Sequence, residues 1–110
     1  KKHKEVLFVE DKKDGEERTY FKDGKLESLV NYKMGRLNGK TTHWNDKGFV
    51  IFEGEYQDDM KHGKINKYHD DGSPYLEQTY FEDKLNGVKK RYEKDGTISQ
   101  ANYSNGKRTD

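Results

Sequence analysis

The sequence has no cysteine, which rules out a disulfide framework, a thiol nucleophile and a thiolate zinc site and leaves the redox state of its compartment open. Apolar residues are scarce. Only 28% of the chain is hydrophobic against 39% charged, too polar for 110 residues to enclose an ordinary three-dimensional core. No apolar run approaches the roughly 20 residues that cross a bilayer as a helix. An excess of one charge is missing too: 22 Lys and Arg face 21 Asp and Glu, so the net charge of +1 builds no field of the kind that selects nucleic acid or an anionic membrane. The longest basic runs, Lys1-Lys2-His3-Lys4 and Lys89-Lys90-Arg91, are short and read as solvated strand ends. Helical periodicity is absent as well.

What is present is a repeat. Gly15, Gly39, Gly63 and Gly87 stand 24 residues apart. Five residues after each comes an aromatic, Tyr20, Trp44, Tyr68 and Tyr92, and four residues later a second glycine, Gly24, Gly48, Gly72 and Gly96. A closing aromatic follows at Tyr32, Tyr56 and Tyr80, with Tyr103 one residue early in the last copy. The units are 15–38, 39–62, 63–86 and 87–110. Residues 2–9 match the second half of a unit, because Val6 and Phe8 lie 24 before Val30 and Tyr32. An aromatic content of 13% at fixed spacing can bury a continuous stripe when units stack, so order is expected from the array.

Each unit reads as a β-hairpin. Asp, Asn or Lys before Gly24, Gly48, Gly72 and Gly96 suits a type I turn closed by a left-handed residue. Gly35, Asp59, Asp83 and Gly106 share one position in the short connections, and Pro74 sits at a tolerated strand start. The predicted fold is all-β: tandem 24-residue hairpins forming one elongated, twisted antiparallel sheet over a single domain, 1–110. Alternation puts Leu26, Val30, Tyr32, Val50, Phe52, Tyr56, Leu76 and Tyr80 on one face, with the near-strand aromatics beside them as a core stripe. Glu27, Glu53, Glu55 and Glu77 then fall opposite. Trp44, in mid-array, is expected to be among the most buried residues.

The pattern G-x4-aromatic-x3-G-x-[LVI]-x5-Y, followed by N-G or H-G, resembles the MORN repeat, more closely its bacterial variant, over about residues 14–108. The resemblance implies an elongated all-β array. It also implies roles in scaffolding, dimerisation or lipid-associated binding and, for bacterial variant arrays, a YwqK-type antitoxin role. It supplies no catalytic constellation. Tyr103 and Lys47 depart from the pattern.

Chemistry-bearing motifs are lacking. His3, His43, His62 and His69 form no metal-ligand spacing; His62 replaces the Asn of Asn38 and Asn86, a loop position, and His43 reads as surface. Asp58-Asp59 and Asp70-Asp71 sit in turns, where aspartate serves the backbone. No phosphate loop or serine elbow occurs. The chain is therefore expected to be no enzyme and to use no metal or cofactor. Leu29, Phe49, Ile51, Tyr75 and Phe81 are expected to face away from the core stripe as an apolar patch that binds a partner. The leading expectation is a protein-binding or scaffolding module, which includes self-association and an antitoxin or immunity role. The alternative is a peripheral membrane or phospholipid binder, which the balanced charge disfavours. Nucleic acid is not an expected partner. The chain begins with Lys1, so a start methionine is expected to have been removed by shortening or by a processing peptidase. A soluble protein, either cytoplasmic or secreted with its signal removed, is expected.

Overall fold

A computed structural model describes residues 3–110; Lys1 and Lys2, which begin the first basic run and the 2–9 half-unit, lie outside the described residues. The strands are β1 (His3–Val9), β2 (Lys12–Tyr20), β3 (Leu26–Lys33), β4 (Arg36–Trp44), β5 (Val50–Gln57), β6 (Met60–Tyr68), β7 (Pro74–Phe81), β8 (Lys84–Leu85), β9 (Gly87–Tyr92), β10 (Ile98–Ser104) and β11 (Lys107–Arg108). They form one antiparallel sheet in sequence order, with β8 and β9 both pairing β7. Among the described residues there is no helix. The sheet is open and one layer thick, with extents of 46 × 32 × 12 Å. Its accessible surface of 7452 Å² exceeds the about 6,300 Å² usual for a folded chain of 13.0 kDa, as expected when neither face is covered.

Along one edge lie the predicted glycine turns. Gly24, Gly48, Gly72 and Gly96 each donate to a carbonyl three residues back, at Phe21, Asn45, His69 and Glu93, over 2.9–3.1 Å. Their φ values of 86–92° occupy the left-handed region that closes such a turn. Side chains brace the turns from within: Asp71 Oδ1 accepts from Ser73 N–H at 2.9 Å, and Asp95 Oδ1 from Thr97 N–H at 2.9 Å. The fourth hairpin is formed despite the early Tyr103, which pairs with Gly87 as Tyr80 pairs with Gly63.

The opposite edge is a row of two-residue turns with both residues at positive φ: Glu10-Asp11, Met34-Gly35, Asp58-Asp59, Glu82-Asp83 and Asn105-Gly106. This conformation matches the twist of the flanking strands. Each of the last four turns is tied to the preceding unit. The second turn residue donates to a carbonyl: Gly35 to Lys13, Asp59 to Leu37, Asp83 to Lys61 and Gly106 to Leu85, over 2.8–3.0 Å. A side-chain acceptor completes each junction. Asp59 and Asp83 supply it from the turn, accepting from the N–H of Leu37 and of Lys61, both at 2.7 Å. Where the turn residue is glycine the acceptor stands on the earlier strand instead, with Asp14 Oδ1 taking Met34 N–H and Asn86 Oδ1 taking Asn105 N–H, both at 3.1 Å.

This exchange makes a prediction. Asp59→Gly leaves Asn38 in the place from which Asn86 serves the last junction, whereas Asp83→Gly leaves His62 there. Asp83→Gly should therefore cost about 0.5–1.5 kcal/mol more than Asp59→Gly, the scale of the one neutral hydrogen bond that Asn38 can supply and His62 does not. Urea midpoints check this, and equal losses would contradict the exchange.

Register decides what each face carries. Each of the first three hairpins has one extra residue on its far strand: Glu27, Ile51 and Tyr75 interrupt the ladders opposite Thr19-Tyr20, His43-Trp44 and Lys67-Tyr68, whereas the fourth pairs without one, which is why Tyr103 comes one residue early. Such a bulge shifts the alternation by one residue. The expected single aromatic stripe is thereby split. On the front face Val30, Thr41, Gly54, Ile65 and Gln78 form one cross-strand row, and Ser28, His43, Phe52, Lys67, Leu76 and Arg91 form the next. The closing tyrosines Tyr32, Tyr56, Tyr80 and Tyr103 are on this face. The near-strand aromatics Tyr20, Trp44, Tyr68 and Tyr92 are on the back, with Leu29, Thr42, Glu53, Asn66 and Glu77.

The core is correspondingly small. Among the described residues Val30 and Ile65 are the buried hydrophobic ones, joined by buried Glu17, Ser28, Thr41 and Thr42. Trp44 is only half-buried, because a single layer leaves one side of every ring to solvent; this corrects the expectation drawn from its mid-array place.

Candidate interaction surface

The back face is organised by a ladder that crosses units. Tyr20 donates to Glu5 at 3.0 Å, Tyr68 to Glu53 at 2.7 Å and Tyr92 to Glu77 at 2.5 Å, always to the residue 15 positions earlier. The remaining unit changes both partners together: Trp44 lacks the hydroxyl, and the position 15 residues before it is Leu29. Leu29 pairs with Thr42, two residues along the strand from Trp44, which puts it within diagonal reach of the indole. Its apolar character is thus explained inside the array.

These bonds couple the carboxylates to the phenols. The hydrogen bond to Glu53 pushes the Tyr68 hydroxyl up to about 12, and donation from Tyr68, aided by Lys40 at 3.2 Å, holds Glu53 below its usual range. Tyr20 and Tyr92 are raised for the same reason by Glu5 and Glu77. The signs fix the pH response. A raised tyrosine stabilises the fold below its ordinary value of 10.0 and loses that contribution as pH climbs towards about 12. A depressed Glu53 stabilises above its ordinary 4.5 and loses the contribution as pH falls through its lowered value. Stability should therefore fall on the alkaline side as the raised tyrosines ionise and on the acid side as His43, whose lowered pKa favours the fold above its ordinary 6.5, and then Glu53 take up protons, and Tyr68→Phe should shrink the alkaline fall. Urea midpoints from pH 3 to 12 check this; an unchanged alkaline limb in Tyr68→Phe would contradict it.

The front face differs in character. Lys13 Nζ lies 4.9 Å from the centre of the Tyr32 ring and Lys61 Nζ 4.9 Å from that of Tyr80, so cations cover closing tyrosines. Lys13 also pairs with buried Glu17 at 2.7 Å. His43, expected at the surface, is half-buried with its ring 5.5 Å from Phe52, and burial lowers its pKa against the opposing pull of Glu27.

The five residues expected to make one outward patch are not brought together. Leu29 is on the back face. Phe49 follows the Gly48 turn and packs over the next turn, where a Cβ on Gly72 would lie 2.8 Å from its ring. Ile51 and Tyr75 are bulge residues, and the Tyr75 ring meets His69 at 5.1 Å and the Arg91 guanidinium at 5.7 Å, on the front side. Phe81, 54% exposed, lies at the far end of β7 with its ring 5.0 Å from His62.

No protein-family model and no curated protein matches the chain. The MORN-variant resemblance therefore rests on the repeat residues themselves. Among the described residues no helix is long and apolar enough to cross a membrane, and no group of three or more His, Asp or Glu is placed to hold a metal ion. The Asp58-Asp59 and Asp70-Asp71 pairs lie in turns, as expected.

Sequence reasoning missed two features of the surface. The tyrosine–glutamate ladder was open to discovery, because Glu5, Leu29, Glu53 and Glu77 keep the 24-residue spacing and change with their aromatic partner. The gathering of front-face cations on β6, β9 and β11 could be seen only once the bulges had set the register.

Proposed function

We propose that this chain is a non-catalytic protein-binding or scaffolding module that recognises its partner with a broad face of the sheet. The observation that carries the reading is the single 46 × 32 × 12 Å layer, which holds side chains in register on two uncovered faces. Interfaces of ordinary size need about 800 Å² per partner, and a face of this extent offers that area without rearrangement. The resemblance to bacterial MORN-variant arrays extends the proposal to an antitoxin or immunity role, in which the bound protein is a toxin.

The test is capture from an extract of the source organism, followed by titration of the captured protein in purified form. A saturable one-to-one complex, or a dimer in sedimentation, supports the proposal. Co-sedimentation with anionic vesicles at low salt, with neither a protein complex nor a dimer, would replace it with the membrane reading.

A further inference from the structure

We infer that the front face over β6 to β11 binds an extended acidic protein segment, an assignment that rests on the protein-binding reading and names the partner's chemistry. Lys67 pairs with Leu76 and Leu76 with Arg91, so the two cations flank one strand, about 9.6 Å apart at the usual strand spacing. Lys89 precedes Arg91 by two residues on the same face, about 6.7 Å along the strand, and Arg108 lies beyond Tyr103. Among the described residues Lys67 and Lys89 make no ion pair. The carboxylates beside this group are Glu93, 3.7 Å from Arg91, and Asp110, 3.2 Å from Arg108, and both lie beyond strand ends. An open groove runs between Lys89, Arg91 and Arg108, lined by Ser99, Ala101 and Tyr103 and with Glu93 as its one carboxylate.

An extended chain places alternate side chains about 6.7 Å apart on one side, which matches Lys89 and Arg91 and lets the guanidinium take a carboxylate through two N–H donors. Single-stranded nucleic acid fits less well, because it needs ring faces free for base stacking. Here Tyr103 is the one ring lining the groove, while Arg91 and His69 already contact Tyr75 and Lys61 lies over Tyr80. A lipid surface fits less well too: the exposed apolar residues are Leu7, Phe8 and Val9 on the distant β1 and Met34, Phe49, Phe81 and Ile98 at strand ends and turns, not among these cations.

The experiment uses a fluorescent dodecapeptide of alternating Glu and Thr, with alternating Lys and Thr, a twelve-nucleotide oligouridine and phosphatidylserine vesicles as comparison probes. Wild type should raise the anisotropy of the acidic peptide at low salt and lose it at high salt. Lys89→Glu/Arg91→Glu should weaken binding at least tenfold, while the same reversal on the back face, Lys64→Glu/Lys90→Glu, should change it less than threefold. Lys89→Gln/Arg91→Gln supplies the comparison if the reversal fails to fold. Equal losses from both faces, no binding of the acidic peptide, or tighter binding of oligouridine or vesicles would overturn the assignment. A captured protein partner that binds Lys89→Glu/Arg91→Glu as tightly as wild type would overturn it too, while leaving the protein-binding reading in place.

Discussion

Ile65→Ala should lower the unfolding free energy by about 2–5 kcal/mol, the range for emptying a buried aliphatic site. Ile65 is 2% exposed and is the most buried large side chain in the sheet. It pairs with Gly54 on one side and Gln78 on the other, so its burial depends on both neighbouring strands and its loss is felt across two hairpins. Trp44→Ala, at a half-buried position, should cost less despite the larger side chain. Urea denaturation of the two variants gives the order directly. A tryptophan loss exceeding the isoleucine loss would contradict a front-face centre.

Gly54→Ala should cost about 1–3 kcal/mol, because the new methyl meets a filled site. Its Cβ would stand 2.9 Å from Ile65 Cδ1 and 3.0 Å from Phe52 Cζ. Gly54 takes the place that Val30 holds one unit earlier, yet here the volume is supplied by the isoleucine and phenylalanine leaning over it. Ile65→Val removes the closer of the two obstructing atoms. The Gly54→Ala loss should therefore shrink in an Ile65→Val background, with a coupling of about 0.5–2 kcal/mol. Additive losses would show that the methyl is accommodated elsewhere.

Much of the fold was legible because it is written in backbone requirements. Gly24, Gly48, Gly72 and Gly96 mark left-handed turn positions, and a glycine or aspartate at 35, 59, 83 and 106 marks the second residue of the opposite turns; such needs leave a fixed spacing that survives any change in surface composition. Side-chain direction was less legible, because a bulge leaves no residue type of its own. Glu27, Ile51 and Tyr75 have nothing chemical in common. The signal was one of length: Gly15 to Tyr20 is five steps, while their partners Tyr32 and Leu26 are six apart. One extra residue turns an even pattern odd, which sent the near-strand aromatics to the back and dispersed the expected patch. Leu29 looked like an outward hydrophobe until the ladder showed it standing where a tyrosine's glutamate stands in other units. The turn junctions were half visible, since Asp59 and Asp83 were recognised as turn residues but not as the acceptors that tie one unit to the next.

Small-angle X-ray scattering, extrapolated to zero concentration, tests the single-layer account most directly. The sheet has a Cα radius of gyration of 15.9 Å, whereas a globular chain of this length packs to about 13 Å. A value near 16 Å, with a pair-distance distribution skewed to long distances, is the predicted result. A value near 13 Å with a symmetric distribution would show the sheet folded upon itself and would remove the two open faces on which the functional proposal depends.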